Sequence, residues 1–313
     1  CWTHEAFAHG AEVVSYFRWR QAPFAQEQMH AGLNLPNGEP EPAASEARQV
    51  VHELAQLNIE AVLPAKVALI YDYQAAWTIE IQPQGIEYSY PDVVLGFYRA
   101  FRRLGLNVDV ISQKTSLDPY RVIAIPSLPI VEPQLVASLR RFQGRVLIGP
   151  RTGSKTADFQ IPPELPPGLL QELIPITIHR VESLPHFAPM SLNWNSTLYQ
   201  CHLWLEHVRT DLTPFIRLPN GEGVAFRHRN ISYLASLPDQ ALLDALIEEL
   251  TRAEGLNITA LPDGVRSRAR GRLRFFFNYG PEPVTLPLPQ ETRFRLGGPE
   301  LPVAGVAVIE EDG

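Results

Sequence analysis

The spacing of apolar residues changes character twice along the chain, near residue 64 and again near residue 257. From Trp2 to His9 the composition is helical and free of breakers, and Gly10 is placed to stop the helix as its C′ residue. Val13 to Trp19 is β-branched and aromatic, which predicts a strand. A polar stretch follows from Arg20 to Gly38, with Pro23, Pro36 and the turn signal Asn37-Gly38. Ser45 then reads as the N-cap of a helix whose apolar positions Val50, Val51, Leu54 and Leu57 recur near a 3.6 period. Helix, strand, long loop, helix is the cadence of a parallel α/β structure, and the piece is too short to be a domain alone.

Past Pro64 the strands become short and almost wholly apolar: Lys66 to Tyr71, Asn107 to Ile111, Arg121 to Pro126 and Arg145 to Gly149. Such runs belong to parallel strands buried on both faces. Between and after them the periodicity predicts helices from Pro91 to Leu104, stopped by Gly105, from Glu132 to Phe142, and from Pro238 to Glu254. The alternation predicts a doubly wound α/β sheet with helices on both faces. Residues 165–219 give no regular pattern. Beyond Asn257, runs such as Arg272 to Tyr279, Pro283 to Leu288, Arg293 to Leu296 and Val303 to Ile309 are broken by Gly and Pro, and predict a small antiparallel β module. The expected division is therefore 1–60, 61–257 and 258–313.

Composition narrows this picture only in places. With 29 Pro against 20 Gly, the loops are rigid and numerous. A net charge of −7 argues against a general affinity for nucleic acid or anionic membrane. No apolar run approaches the roughly 18 residues of a membrane span, and the expected location is the cytoplasm. Cys1 and Cys201 are too few for a disulfide framework or a four-ligand zinc site. The chain opens on Cys1-Trp2-Thr3-His4, without Met and inside what reads as an element, so the expectation is a piece of a longer polypeptide.

Candidate chemistry concentrates after the first strand. Phe17, Trp19, Arg20, Glu27 and His30 crowd the carboxyl end of that strand, where α/β barrels place ligand-binding loops. Glu27 and His30, three apart, share a face on a helical turn and can converge on neighbouring hydroxyls. From residue types alone, a solvated loop with a salt-bridged arginine is the favoured alternative. Gly149 to Thr156 imitates a phosphate-binding loop, but Ser154 stands where Gly must precede the Lys, and Pro162-Pro163 forbid a helix start. Pro126-Ser127-Leu128-Pro129 lacks the glycines of a nucleophile elbow. Cys201 beside His202 reads as a buried structural thiol rather than a nucleophile and its base. Arg266, Arg268, Arg270, Arg272 and Arg274 alternate, and in one strand would line a solvated or subunit-facing surface.

The segment WTHEAFAHGAEVVSYFRWRQAPFAQEQMHAG resembles the family-42 β-galactosidases, in the form found in Thermus-like bacteria. There a helix, the last barrel strand and the following loop carry an AHGA…WRQ…E-x-x-H-x-G pattern, matched here by Ala8 to Ala11, Trp19-Arg20-Gln21, Glu27, His30 and Gly32. The order of the remaining parts agrees. The resemblance implies the end of a (β/α)8 TIM barrel, a glutamine-amidotransferase-like α/β trimerisation domain and a small antiparallel β domain.

By the same resemblance, Glu27 and His30 bind the galactosyl unit and Phe17 lines its pocket. It further implies a homotrimer, a galactoside substrate, no cofactor in this chain, and a zinc site in some members upstream of the part present here. Retaining hydrolysis needs two carboxylates about 5–5.5 Å apart. In the family both precede this segment, so the chain itself is expected to be inactive. Two other functions stay open on the residues: a non-catalytic oligomerisation module, and an amidotransferase-like enzyme built on the middle domain.

Overall fold

The computed structural model describes residues 1–85 and 87–311. Helix α1 (Trp2–Ala8) ends at His9, and Gly10 follows at φ +104°, a conformation that suits the expected glycine stop. Residues 11–19 form no strand and bend at Glu12, Phe17 and Trp19, which corrects the expectation for Val13 to Trp19. Strand-like composition still needs a neighbouring strand to hydrogen-bond along its length, and here the backbone pairing with residues 33–34 begins only at Arg18 and Trp19, with a single bridge from Arg20 to Asn34. Helix α2 (Pro42–Ala55) begins three residues before Ser45. Pro42, preset to helical φ, occupies the first turn, and Ser45 donates its hydroxyl to Pro42 O instead of capping.

The middle of the chain starts with β1 (Val67–Ile70), followed by α3 (Tyr73–Ile81) and α4 (Tyr90–Arg103). Next come β2 (Val108–Ile111), β3 (Val122–Ile125), α5 (Pro133–Arg141) and β4 (Arg145–Ile148). These four strands lie parallel in the order β2-β1-β3-β4. β1, β3 and β4 are buried on both faces, as their unbroken apolar runs require. Asp72 caps α3 by accepting from Ala75 N at 3.1 Å, and Ser89 caps α4.

The sheet then continues in a way the sequence did not announce. Strands β5 (Thr177–Ser183), β6 (Met190–Trp194), β7 (Thr197–Arg209), β8 (Ile216–Arg217), β9 (Gly223–His228), β10 (Ile231–Leu234) and β11 (Ser236–Pro238) extend it to 11 strands. β10 joins parallel to β4 and the rest of this extension pairs antiparallel, so the doubly wound core carries a mixed flank. Helix α6 (Gln240–Ala253), capped by Asp239, buries the expected stripe Leu242, Leu243, Leu246, Ile247 and Leu250 and packs on α4.

Six strands close the chain: β12 (Val265–Arg270), β13 (Leu273–Asn278), β14 (Val284–Thr285), β15 (Phe294–Leu296), β16 (Glu300–Leu301) and β17 (Val306–Glu310). Together with residues 1–63 they form one compact unit, while residues 64–259 form the other. β13 is buried on both faces. Phe275 and Phe277 pack with Ala8, Leu57 and Val308, whereas Phe276 packs with Val265, Leu286 and Ile309. The alternating arginines do not share one surface, because a turn at Gly271 splits them between two strands. Arg270 turns inward and donates to the carbonyls of Glu60 and Phe7, and Arg274 pairs with Glu311.

Candidate functional site

Residues 17–34 form a loop with a narrow neck. The chain leaves along Arg18 to Gln21 and returns at Leu33 and Asn34. Leu33 N donates to Arg18 O at 2.8 Å, Asn34 N to Trp19 O at 3.0 Å, and Gln21 N to Asn34 O at 2.9 Å. The buried Asn34 adds a side-chain bond, its Nδ2 donating to Trp19 O at 2.8 Å. Gly32 sits where the two legs touch. A Cβ there would lie 2.7 Å from Gln21 N, so no other residue fits without opening the neck. Loops of this size with apposed ends are frequently functional.

The tip of the loop is a single 3-10 turn, Gln26–Met29. Gln21 reaches across from the neck and donates to Gln28 O at 2.6 Å, which fixes the turn relative to its base. This turn presents Glu27 and His30 on the exposed side, where His30 N donates to Glu27 O at 3.2 Å. Phe17 stands beside them, 71% exposed, its ring 6.4 Å from the His30 imidazole and nearly perpendicular to it. The Phe17–Arg18 peptide is cis. Arg18 lies over the Phe17 ring at 4.6 Å and ion-pairs with Glu27. The three expected residues thus come together, and Arg18 links two of them.

Arg18, Gln21 and Asn34 are the positioning residues that sequence reasoning did not assign. Trp19, Arg20 and Gln21 contribute their backbone to one leg of the neck. The salt-bridged arginine of the plainer reading is present and involves Arg18 with Glu27. That pair leaves Glu27 Oε1 free to accept a hydroxyl while the guanidinium holds the carboxylate in place. An imidazole that can donate or accept, a fixed carboxylate and an exposed aromatic face suit a sugar ring. Glu27 is the sole carboxylate of residues 17–34, so this loop alone cannot provide the two carboxyls of a double displacement.

The other candidates fold away from chemistry. Arg151 and Thr152 of the phosphate-loop mimic are buried. Arg151 N donates to Glu206 Oε1 at 2.7 Å, and Thr152 Oγ1 donates to Gly149 O at 2.8 Å. Glu206 also accepts from Tyr233 Oη at 2.7 Å and Trp204 Nε1 at 3.2 Å; its complete burial nevertheless pushes its pKa up. Cys201 lies in β7, and burial raises its thiol to about 11, far from a nucleophile's range. Among the described residues, no three His, Cys, Asp or Glu side chains converge to hold a metal. No helix among the described residues is long and apolar enough to cross a membrane.

Comparison with known proteins agrees along the whole length. Residues 65–257 match the β-galactosidase trimerisation domain of glycoside hydrolase family 42, residues 1–57 match its β-galactosidase model, and residues 256–311 match its C-terminal domain. A β-galactosidase of Thermus sp. is 49% identical over 310 residues, covering 99% of this chain and 48% of that relative. The crystal structure of the β-galactosidase from Marinomonas ef1 superposes with a TM-score of 0.93 at 39% identity, covering 99% of this chain and 49% of that one. The enzyme of Halorubrum lacusprofundi gives a TM-score of 0.91 at 31% identity, over 100% of this chain and 49% of that one. The chain spans about half the length of these relatives. It belongs to the family-42 β-galactosidases, of which it carries the trimerisation domain, the C-terminal domain and a stretch matching the family's β-galactosidase model.

Proposed function

We propose that this chain is the C-terminal portion of a retaining β-galactosidase acting on terminal β-D-galactosides. One observation carries the reading: Phe17, Glu27 and His30 converge on one exposed loop rim, in a chain whose relatives bear the name β-galactosidase. In the complete polypeptide, Glu27 Oε1 accepts a hydroxyl of the galactosyl unit, His30 bonds a neighbouring hydroxyl, and Phe17 covers the apolar face of the ring. Arg18 ion-pairs with the carboxylate and keeps it oriented towards the sugar. Such bonds accelerate the reaction to the extent that they tighten as the ring distorts towards the transition state.

The acid/base and the nucleophile belong to the half of the relatives that this chain does not span. Double displacement needs those two carboxyls and no cofactor. We place the enzyme in the cytoplasm, as a homotrimer assembled through the α/β domain, a role named in the matching family description. The test is turnover of an aryl β-galactoside by the purified chain. No hydrolysis above buffer is expected, and steady turnover would refute the assignment of both catalytic groups to the other half.

A further inference from the structure

After β4 the chain enters a turn, Gly149-Pro150-Arg151-Thr152-Gly153, that has the glycine spacing of a nucleophile elbow. Its central residue is held at φ +64°, a strained conformation for a long side chain and one that clusters at functional positions. Both glycines are needed. A Cβ at Gly149 would strike Pro126 O, and one at Gly153 would strike Pro167 O. A guanidinium stands where an elbow carries its nucleophile, so the turn does not attack a substrate. It does fix a cation at the carboxyl edge of a doubly wound sheet, where such folds hold ligands.

Arg151 is only 3% exposed, and its guanidinium carbon lies 5.4 Å from the ring centroids of both Tyr88 and Trp204. Its Nη1 has no hydrogen-bond partner, and no carboxylate among the described residues ion-pairs with the group. Glu206 is near but already engaged: Oε1 accepts from Arg151 N and Trp204 Nε1, and Oε2 accepts from Tyr233 Oη. Two further buried hydroxyls are idle beside the cation. Tyr88 Oη and Ser127 Oγ are neighbours, yet neither makes a hydrogen bond of normal geometry. A guanidinium can only donate, and a buried one left unpaired is strongly destabilising. Burial accordingly disfavours its charge, opposed by Tyr88 and Glu206. All of these residues belong to the compact unit 64–259, within which they are buried.

We propose that Arg151, Ser127 and Tyr88 hold a small monovalent anion, a halide or a carboxylate group, inside the α/β unit. Three idle donors, one of them a fixed cation, call for a species that accepts hydrogen bonds and carries a single negative charge. A dianion would leave one charge uncompensated beside Glu206. The site is separate from the loop that carries Glu27 and His30, and stands whether or not that loop binds a galactoside.

The test is amide hydrogen exchange of residues 151–153 on the full chain at constant ionic strength, with bromide or formate replacing the bulky anion gluconate. Opening the turn must release the anion, so in the parent exchange is expected to slow in proportion to probe concentration above half-saturation. The probe that saturates lower identifies the natural occupant as halide or carboxylate. Arg151→Met is expected to respond to neither probe. Ser127→Ala, which keeps the cation, is expected to raise the half-saturating concentration about 2- to 13-fold. Parent exchange that ignores both probes overturns the proposal in favour of a water-filled site, and so does an Arg151→Met protein with the parent's full response. If Arg151→Met fails to fold, an unchanged half-saturation in Ser127→Ala overturns it instead.

Discussion

Replacing Gly32 with alanine tests how the loop is held. The added carbon would lie 2.7 Å from Gln21 N and 2.8 Å from Arg20 C, both backbone atoms, at separations real Cβ atoms essentially never show. One leg of the neck must move away. The bonds at stake are Leu33 N to Arg18 O and Asn34 N to Trp19 O. Each contributes about 0.5–1.5 kcal/mol net, so the pair is worth about 1–3 kcal/mol of local opening energy. Removing the glycine's freedom in the unfolded chain returns only about 0.4–1 kcal/mol. At mid-range values the loss dominates by about 1.3 kcal/mol, and the amides of Leu33 and Asn34 should exchange with solvent about tenfold faster than in the parent. Hydrogen exchange read residue by residue is the assay, with the amides of β3 as an unaffected control. Unchanged protection at Leu33 and Asn34 would show that the neck does not depend on this close approach.

Other regions give independent tests. Phe275→Ala should destabilise the unit formed by residues 1–63 and the closing strands by about 3–5 kcal/mol, seen as a lower denaturation midpoint; a shift under about 1 kcal/mol would mean that this face of β13 is not core. Burial raises Glu206 above its unfolded value, so the unfolded state releases its proton first as pH rises. Its unfavourable contribution is therefore absent below the ordinary carboxylate pKa and grows through the range above it. Glu206→Gln should flatten that part of the stability–pH curve, and an unaltered slope would refute the sign. With its thiol raised to about 11 and fully enclosed, Cys201 should resist a thiol reagent until the chain is denatured; rapid labelling of the native protein would reopen the nucleophile reading.

Where local sequence and tertiary demand coincide, the fold was readable. β1, β3 and β4 are unbroken apolar runs because both faces are covered, α4 stops before Gly105 as expected, and α6 buries its expected apolar stripe. Helix α3 was missed because its outward side is as apolar as its inward side, which erases the 3.6-residue signal. The antiparallel flank was missed for a related reason: Leu203 at φ +62° and register shifts along β5 and β11 break the two-residue alternation of β7 and its partners. The segment Val13 to Trp19 was overread, since composition cannot say whether a neighbouring strand exists.

The site divides in the same way. Spacing placed Glu27 and His30 on one turn, and the family pattern added Phe17. Arg18 pairing with Glu27, Gln21 bracing Gln28 and Asn34 closing the neck on Trp19 join residues 7 to 15 positions apart, and no periodicity encodes those contacts.

The central claim is that this chain completes a galactosidase site through Glu27. The direct measurement is kcat/KM on an aryl β-galactoside, for a chimaera in which this chain replaces the matching half of the Thermus sp. relative, and for its Glu27→Ala variant. The chimaera should be active. Loss of a charge-assisted hydrogen bond worth about 1.5–3 kcal/mol should lower kcat/KM by about 10- to 150-fold. An active chimaera whose Glu27→Ala variant keeps the same kcat/KM would contradict the claim.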